Sequence, residues 1–127
     1  NMSNTKYFNR ANSNIYPNGG VYGEDGKYTG KGRLIQHDGS VYEGDFEASK
    51  FHGKGKLTSF DGSVYEGDFK EDKSHGKGKL TLPDGAVYEG DFECGKYNGK
   101  GKATYANGVA YEGEYKDGNY NGKGKLT

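Results

Sequence analysis

Four carboxylate pairs recur along the chain: Glu43/Asp45, Glu66/Asp68, Glu89/Asp91 and Glu112/Glu114. Two carboxylates at such close spacing are the raw material of acid–base catalysis. A catalytic site is singular, however, and a pair that returns four times reads as a structural ladder. Each pair is followed by Gly-Lys-Gly-Lys, at residues 53–56, 76–79, 99–102 and 122–125. These runs have the residue types of a phosphate loop but neither its spacing nor a helix after it. His52 and His75 hold equivalent positions, and Asn98 and Asn121 take the same place further on. No carboxylate or thiol joins the histidines at metal-ligand spacing, so they read as turn-closing polar residues. His37 is a lone loop residue. Cys94 is the single cysteine, which excludes an intrachain disulfide and favours a reducing, cytoplasmic setting. No catalytic residue, cofactor or metal is expected.

The elements that position these residues follow from a period. Tyr42, Tyr65, Tyr88 and Tyr111 are spaced by 23 residues, the signature of stacked repeats. Hydrophobic residues make up only 30% of the 127, with 24 glycines, a composition that on its own suggests disorder. The 12 tyrosines and 6 phenylalanines argue the other way, since each ring buries a large area and they recur in phase. Lys plus Arg and Asp plus Glu are 18 each, so the net charge is zero. That weighs against a nucleic-acid partner and against a strongly anionic membrane surface. No apolar run approaches the ~20 residues that span a bilayer, and the first residues form no signal-peptide core.

Within one unit, Tyr42, Gly44 and Phe46 alternate with Glu43 and Asp45, and Gly53, Gly55 and Leu57 alternate with Lys54 and Lys56. Both runs have the strand period of two. Asp61-Gly62, Asp84-Gly85 and Asn107-Gly108 supply turns between units. A three-residue loop, a type I turn closed by a left-handed glycine, sets Leu57 opposite Tyr65, Gly55 opposite Gly67 and Gly53 opposite Phe69. A two-residue Asp-Gly turn would scramble the faces. Within the hairpin the expected pairs are Tyr42–Leu57, Gly44–Gly55 and Phe46–Gly53, across a turn near residues 48–52. Rings then lie over bare glycine backbone. The other face reads Glu43–Lys56–Glu66 and Asp45–Lys54–Asp68, each lysine between two carboxylates.

Residues 1–15 are Asn- and Ser-rich and read as a weakly ordered segment or degenerate repeat. The array covers 16–127, with units starting near 22, 42, 65, 88 and 111. Residues 16–22 match 82–88 position by position, which places a partial unit ahead of the first full one. The unit at Tyr22 lacks the Glu-Gly-Asp-Phe core and reaches its Gly-Lys-Gly early, so a distorted strand or turn is expected there. The last unit is truncated, and the whole reads as part of a longer array.

"YEGDF…HGKGKLT…DG" resembles the MORN (membrane occupation and recognition nexus) repeat, over roughly residues 16–127. Phe46, Phe69, Phe92 and Tyr115 stand where Trp is often found. The resemblance implies an all-β fold: a repeat array of antiparallel β-hairpins forming an elongated, twisted single-layer sheet, a trough. It implies a non-catalytic scaffold, as found in cytoskeletal, ciliary and junctional membrane proteins and beside kinase or methyltransferase domains. Some such troughs hold a partner helix, and lipid binding has often been proposed.

The expected partner site is the aromatic face: Tyr42, Phe46, Phe51, Tyr65, Phe69, Leu82, Tyr88, Phe92, Tyr97, Tyr105, Tyr111 and Tyr115, with Tyr28 and Tyr120 on the same side. Its partner would be a protein segment such as an amphipathic helix. The alternative is a peripheral membrane or phosphoinositide-binding module using Lys54, Lys56, Lys77, Lys79, Lys100 and Lys102, whose rows repeat about every 10 Å. A third reading is the regulatory array of a larger lipid kinase or protein methyltransferase. Open sheet edges also invite self-association. The expected location is the cytoplasm, attached to cytoskeleton, cilium or a membrane face.

Overall fold

The structure is a computed structural model that describes residues 7–10 and 13–127, with side chains from Ile15 onward. It holds eleven strands: β1 (Tyr7–Arg10), β2 (Ser13–Tyr22), β3 (Tyr28–Ile35), β4 (Val41–Glu47), β5 (Lys50–Thr58), β6 (Val64–Lys70), β7 (Lys73–Thr81), β8 (Val87–Glu93), β9 (Lys96–Thr104), β10 (Ala110–Lys116) and β11 (Asn119–Leu126). All lie in one open sheet in chain order. Every pairing is antiparallel and between consecutive strands. No helix occurs among the described residues.

The turns between units are the expected three-residue loops. At residues 59–63, Ser59 N–H donates to Ser63 O at 2.8 Å and Gly62 N–H to Ser59 O at 3.0 Å. Gly62 has φ +96°, the left-handed conformation that closes such a loop. Asp61 Oδ1 accepts from Ser63 N–H at 2.9 Å and fixes the corner. The resulting register sets Leu57 against Tyr65, Gly55 against Gly67 and Gly53 against Phe69, as the sequence predicts.

Within the hairpin the register differs from expectation. Tyr42 faces Leu57 and Gly44 faces Gly55, but Phe46 then faces Phe51 rather than Gly53. The turn is only Ala48-Ser49, both left-handed with φ 48° and 65°. β5 therefore carries two extra residues opposite Asp45. The bulge turns at Gly53, φ +71°, and Asp45 Oδ2 accepts the Lys54 N–H there at 3.2 Å. Asp68 and Asp91 do the same for Lys77 N–H and Lys100 N–H, each at 3.0 Å. A charge-assisted bond thus satisfies an amide that the ladder has displaced.

The N-terminal part departs further. Residues 13–15, placed outside the array by sequence, open β2, and β1 pairs with them; residues 1–6, 11 and 12 lie outside the described residues. Residues 16–22 do not repeat the loop found at the matching residues 82–86, because they run within one strand, β2. Ile15 faces Leu34 and so takes the place of Tyr42, and Pro17 faces Gly32 and takes the place of Gly44. Proline fits because beyond Ile15 β2 has no outer partner among the described residues, so its missing N–H costs the ladder nothing. The irregular unit turns at residues 23–27, joining Tyr22 to Tyr28.

The core is one layer of rings. The Tyr42 ring crosses the Gly44/Gly55 pair and its hydroxyl donates to Asp45 O at 2.6 Å; Tyr65 and Tyr88 repeat this to Asp68 O and Asp91 O at 2.7 Å. Tyr42 meets Phe46 of its own unit edge-on at 5.0 Å and Phe69 of the next at 5.1 Å. Phe51 stacks on Tyr42 at 3.9 Å, Tyr97 on Tyr88 at 3.7 Å and Tyr120 on Tyr111 at 4.0 Å. Each aromatic pair contributes about 0.5–1.5 kcal/mol beyond its buried area. Ser74 stands at the stacking position over Tyr65, so that unit has edge contacts only.

Neighbouring hairpins are also latched at their turns. Ser49 N–H donates to Tyr28 O at 2.7 Å, and Ser49 Oγ accepts from Tyr28 N–H at 2.8 Å. Asp72 repeats both bonds with Phe51, at 3.0 and 2.9 Å. Gly95 and Gly118 keep only the backbone bond, having no side chain for the second.

A methyl group on Gly78 would overlap the hydroxyl and ring of Tyr65. Gly78→Ala is therefore expected to cost about 3 kcal/mol in urea denaturation, the upper range for overpacking a fixed site. A loss below about 0.5 kcal/mol would show that the ring does not press on that backbone.

Candidate functional site

The aromatic face and the charged face are the two surfaces that repeat, and the structure treats them differently. Nine of the twelve residues expected to meet a partner are buried: Tyr42, Phe46, Phe51, Tyr65, Phe69, Tyr88, Phe92, Tyr111 and Tyr115 are at most 8% exposed. The rings expected to meet a partner are thus largely covered within the sheet itself. Edge-to-face contacts between successive units close the rings over one another, without a second layer. Leu82 and Tyr97 are half-buried and Tyr105 is exposed.

What the face offers to a neighbour is two partly covered rows, one at each end of the hairpins. Leu57 and Leu80, opposite Tyr42 and Tyr65, and Tyr97, opposite Phe92, are half-buried and pack on the ring cluster. In the last hairpin Leu126 stands in the leucine row and Tyr120 in the tyrosine row, 66% and 51% exposed. Leu57 and Leu80 were not among the expected site residues, although their parity and 23-residue spacing carried the signal. Ala103, at the equivalent position of β9, is buried and short. Beside it the Tyr105 and Tyr120 hydroxyls meet. Their hydrogen bond, with some burial, pushes the Tyr105 phenol up to about 12.

The charged face is paired. Lys31 Nζ sits 2.9 Å from Asp45, and Lys54 and Lys77 are ion-paired with Asp68 and Asp91 of the following unit. Each of these aspartates thus holds a bulge amide of its own hairpin and the ammonium of the preceding one. The hydrogen bond from Lys31 leads in holding the Asp45 carboxyl below the usual range. For Asp68, burial pushes up, and the bonds from Lys54 and from the Lys77 amide outweigh it. The direct contact of Asp45 with Lys54 is to its backbone, not its ammonium, because of the bulge. Lys56 lies between Glu43 and Glu66, and Lys79 between Glu66 and Glu89, as the sequence register requires. Lys102 is flanked likewise by Glu89 and Glu112, and Lys100 faces Glu114.

His52 Nε2 lies 3.3 Å from Glu47 Oε2 at the edge of its turn. Cys94 is exposed in the two-residue turn between β8 and β9, with φ 50°. Among the described residues no group of three or more His, Cys, Asp or Glu is placed to hold a metal ion.

Burial raises the phenols of Tyr42, Tyr65 and Tyr115, and that of Tyr88 to about 12. A phenol that ionises later in the fold than in the unfolded chain stabilises fully below its unfolded value, about 10, and that stability is lost as pH rises through the folded one. Alkaline unfolding is therefore expected to begin near pH 10, with tyrosinate absorbance and loss of β-sheet signal rising together. Tyrosinate formation in a still-folded sheet would contradict this. Tyr115 Oη is buried without a hydrogen-bond partner, and the equivalent positions hold Phe46, Phe69 and Phe92. Tyr115→Phe is expected to stabilise by about 1 kcal/mol, read as a raised urea midpoint.

The geometry agrees with what a comparison of families finds. The family model for the MORN repeat matches residues 24–41, 42–64, 65–87, 88–109 and 111–127. A search of curated proteins gives no match. The last four matches tile the hairpins from β4 to β11, each with its ring, its glycine pair and its turn, and the first covers β3 and the loop that follows it. By that coverage, and by a sheet built of one hairpin repeated, the chain belongs to the MORN repeat family.

Proposed function

We propose that the chain is a non-catalytic interaction scaffold that holds a protein segment along its aromatic face. The observation that carries this reading is the apolar cover left half-open over a floor of packed rings: Leu57 and Leu80 at one end of the hairpins, Tyr97 at the other, with exposed Tyr105, Tyr120 and Leu126. The described residues supply no second layer above it. A floor of packed rings with a row of half-buried leucines across it suits an amphipathic helix laid along that row, whose apolar face meets the leucines and whose polar face stays wet. The family context agrees, since MORN repeats occur in proteins that interact with other proteins and with membranes. Lys54 and Lys77 are already neutralised by Asp68 and Asp91, so the charged face is the weaker docking surface.

The test places a photo-cross-linking residue at position 80, on the aromatic side, or at position 79, on the charged side, and captures proteins from a cell lysate. The expected result is a protein trapped from position 80 and not from 79, with capture falling about tenfold in Leu80→Glu after folding is confirmed by circular dichroism. Equal trapping from both positions, or from position 79 alone, would overturn the assignment of the face.

A further inference from the structure

Charge pairing on the charged face lapses at one place in the middle of the array. Beside each two-residue turn the flanking residues of the two strands face each other. β4 and β5 set Glu47 against Lys50, and β8 and β9 set Glu93 against Lys96, whereas β6 and β7 set Lys70 against Lys73. A third basic residue joins them. His52 Nε2 lies 3.3 Å from Glu47, and Asn98 Nδ2 donates to Glu93 at 2.7 Å. His75 holds the same place in β7, where the corresponding neighbour is Lys70. Lys70, Lys73 and His75 line one open concavity together with Glu71, Glu93 and Cys94. The carboxylates around it are engaged elsewhere. Glu71 is ion-paired with Lys50 of the preceding hairpin at 2.8 Å, and Asp72 Oδ1 accepts the Phe51 N–H at 2.9 Å. Asp68 holds the Lys54 ammonium and the Lys77 amide. None of the ion pairs among the described residues includes Lys70, Lys73 or His75.

We propose that Lys70, Lys73 and His75 hold the phosphoryl group of a soluble phosphate compound. Two ammoniums match the charge of nearly two that a phosphate monoester carries at pH 7, and its oxygens accept several hydrogen bonds. Lysine binds phosphate as a point charge, and the imidazole supplies a ring N–H donor. A carboxylate would leave one ammonium unmatched. Lys70 and Lys73 are exposed and His75 is half-buried, so the three are open to a ligand from solvent. Glu71 and Glu93 line the same concavity and oppose the spread negative charge of a bilayer, which favours a small soluble anion. Like charges directly opposed weaken a sheet, so a bound dianion between Lys70 and Lys73 also relieves a local repulsion. Lys54 and Lys77, already neutralised by Asp68 and Asp91, offer no such site.

The probe is inorganic phosphate, titrated into the 127-residue chain at pH 7 and followed by amide NMR, with chloride at matched ionic strength as the control. Saturable shifts are expected at residues 70–75 with phosphate and not with chloride. Lys70→Glu restores the acid that the neighbouring hairpins carry as Glu47 and Glu93, so the fold has a place for it. That variant should bind phosphate about tenfold more weakly, the loss of one charge-assisted contact. Its urea midpoint should rise, because a Glu–Lys pair replaces two facing lysines. Lys70→Arg should keep the affinity within about threefold. Unchanged affinity in Lys70→Glu, shifts centred on Lys77 and Lys79, or no saturation by about 100 mM phosphate would each overturn the proposal. So would sedimentation with phosphoinositide vesicles in the absence of any binding of the free ion, which would assign the cluster to a membrane surface. A cross-link at position 80 reads the opposite face of the sheet and is unaffected by these outcomes, so the two surfaces stand or fall separately.

Discussion

A tyrosine ring laid across two facing glycines, with its hydroxyl donating to the backbone carbonyl three residues further along its own strand, is the contact on which the sheet depends. Tyr42 over Gly44 and Gly55, Tyr65 over Gly67 and Gly78, and Tyr88 over Gly90 and Gly101 repeat it. Glycine in a strand is weak on its own, because it packs nothing and loses much entropy on ordering. The ring reverses that by covering the bare backbone, and only a residue without a side chain admits it. The phenylalanines then fall edge-on between successive tyrosines and tie unit to unit. One layer can be dry on one side for this reason, although the chain is only 30% hydrophobic.

The charged face is an equally local solution. Zero net charge arises from a register that sets lysines against carboxylates at almost every step. The inner carboxylates do two jobs at once. Asp45, Asp68 and Asp91 accept the displaced amide of a bulge and the ammonium of the unit before. In the last hairpin Glu114 takes this place, and its longer side chain stands 3.6 Å from where a Gly122 side chain would begin.

Much of this was legible because both faces are written in a period of two and the units in a period of 23. The loop at residues 59–63 could be read to the residue, since Asp61 and Gly62 have conformational requirements that few other pairs meet. The bulge at Gly53 was not legible. It adds two residues, and an even insertion leaves every side chain on its expected face, so alternation is blind to it. The burial of the rings was hidden for a different reason. Alternation tells which side a ring takes, whereas its exposure is set by contacts such as Tyr42 with Phe69, between residues 27 positions apart. Ile15 and Pro17 were missed because they fill the places of a tyrosine and a glycine with residues of neither type.

Strict neighbour-to-neighbour pairing in chain order has a consequence for the length of such a molecule. No strand depends on another beyond the adjacent one for its backbone bonds, so a whole 23-residue unit can be gained or lost without disturbing the rest. Each gain lengthens the body by two inter-strand steps, about 9.6 Å. Repeat number thus sets the length of the sheet in fixed increments, and duplication of the coding segment is enough to change it.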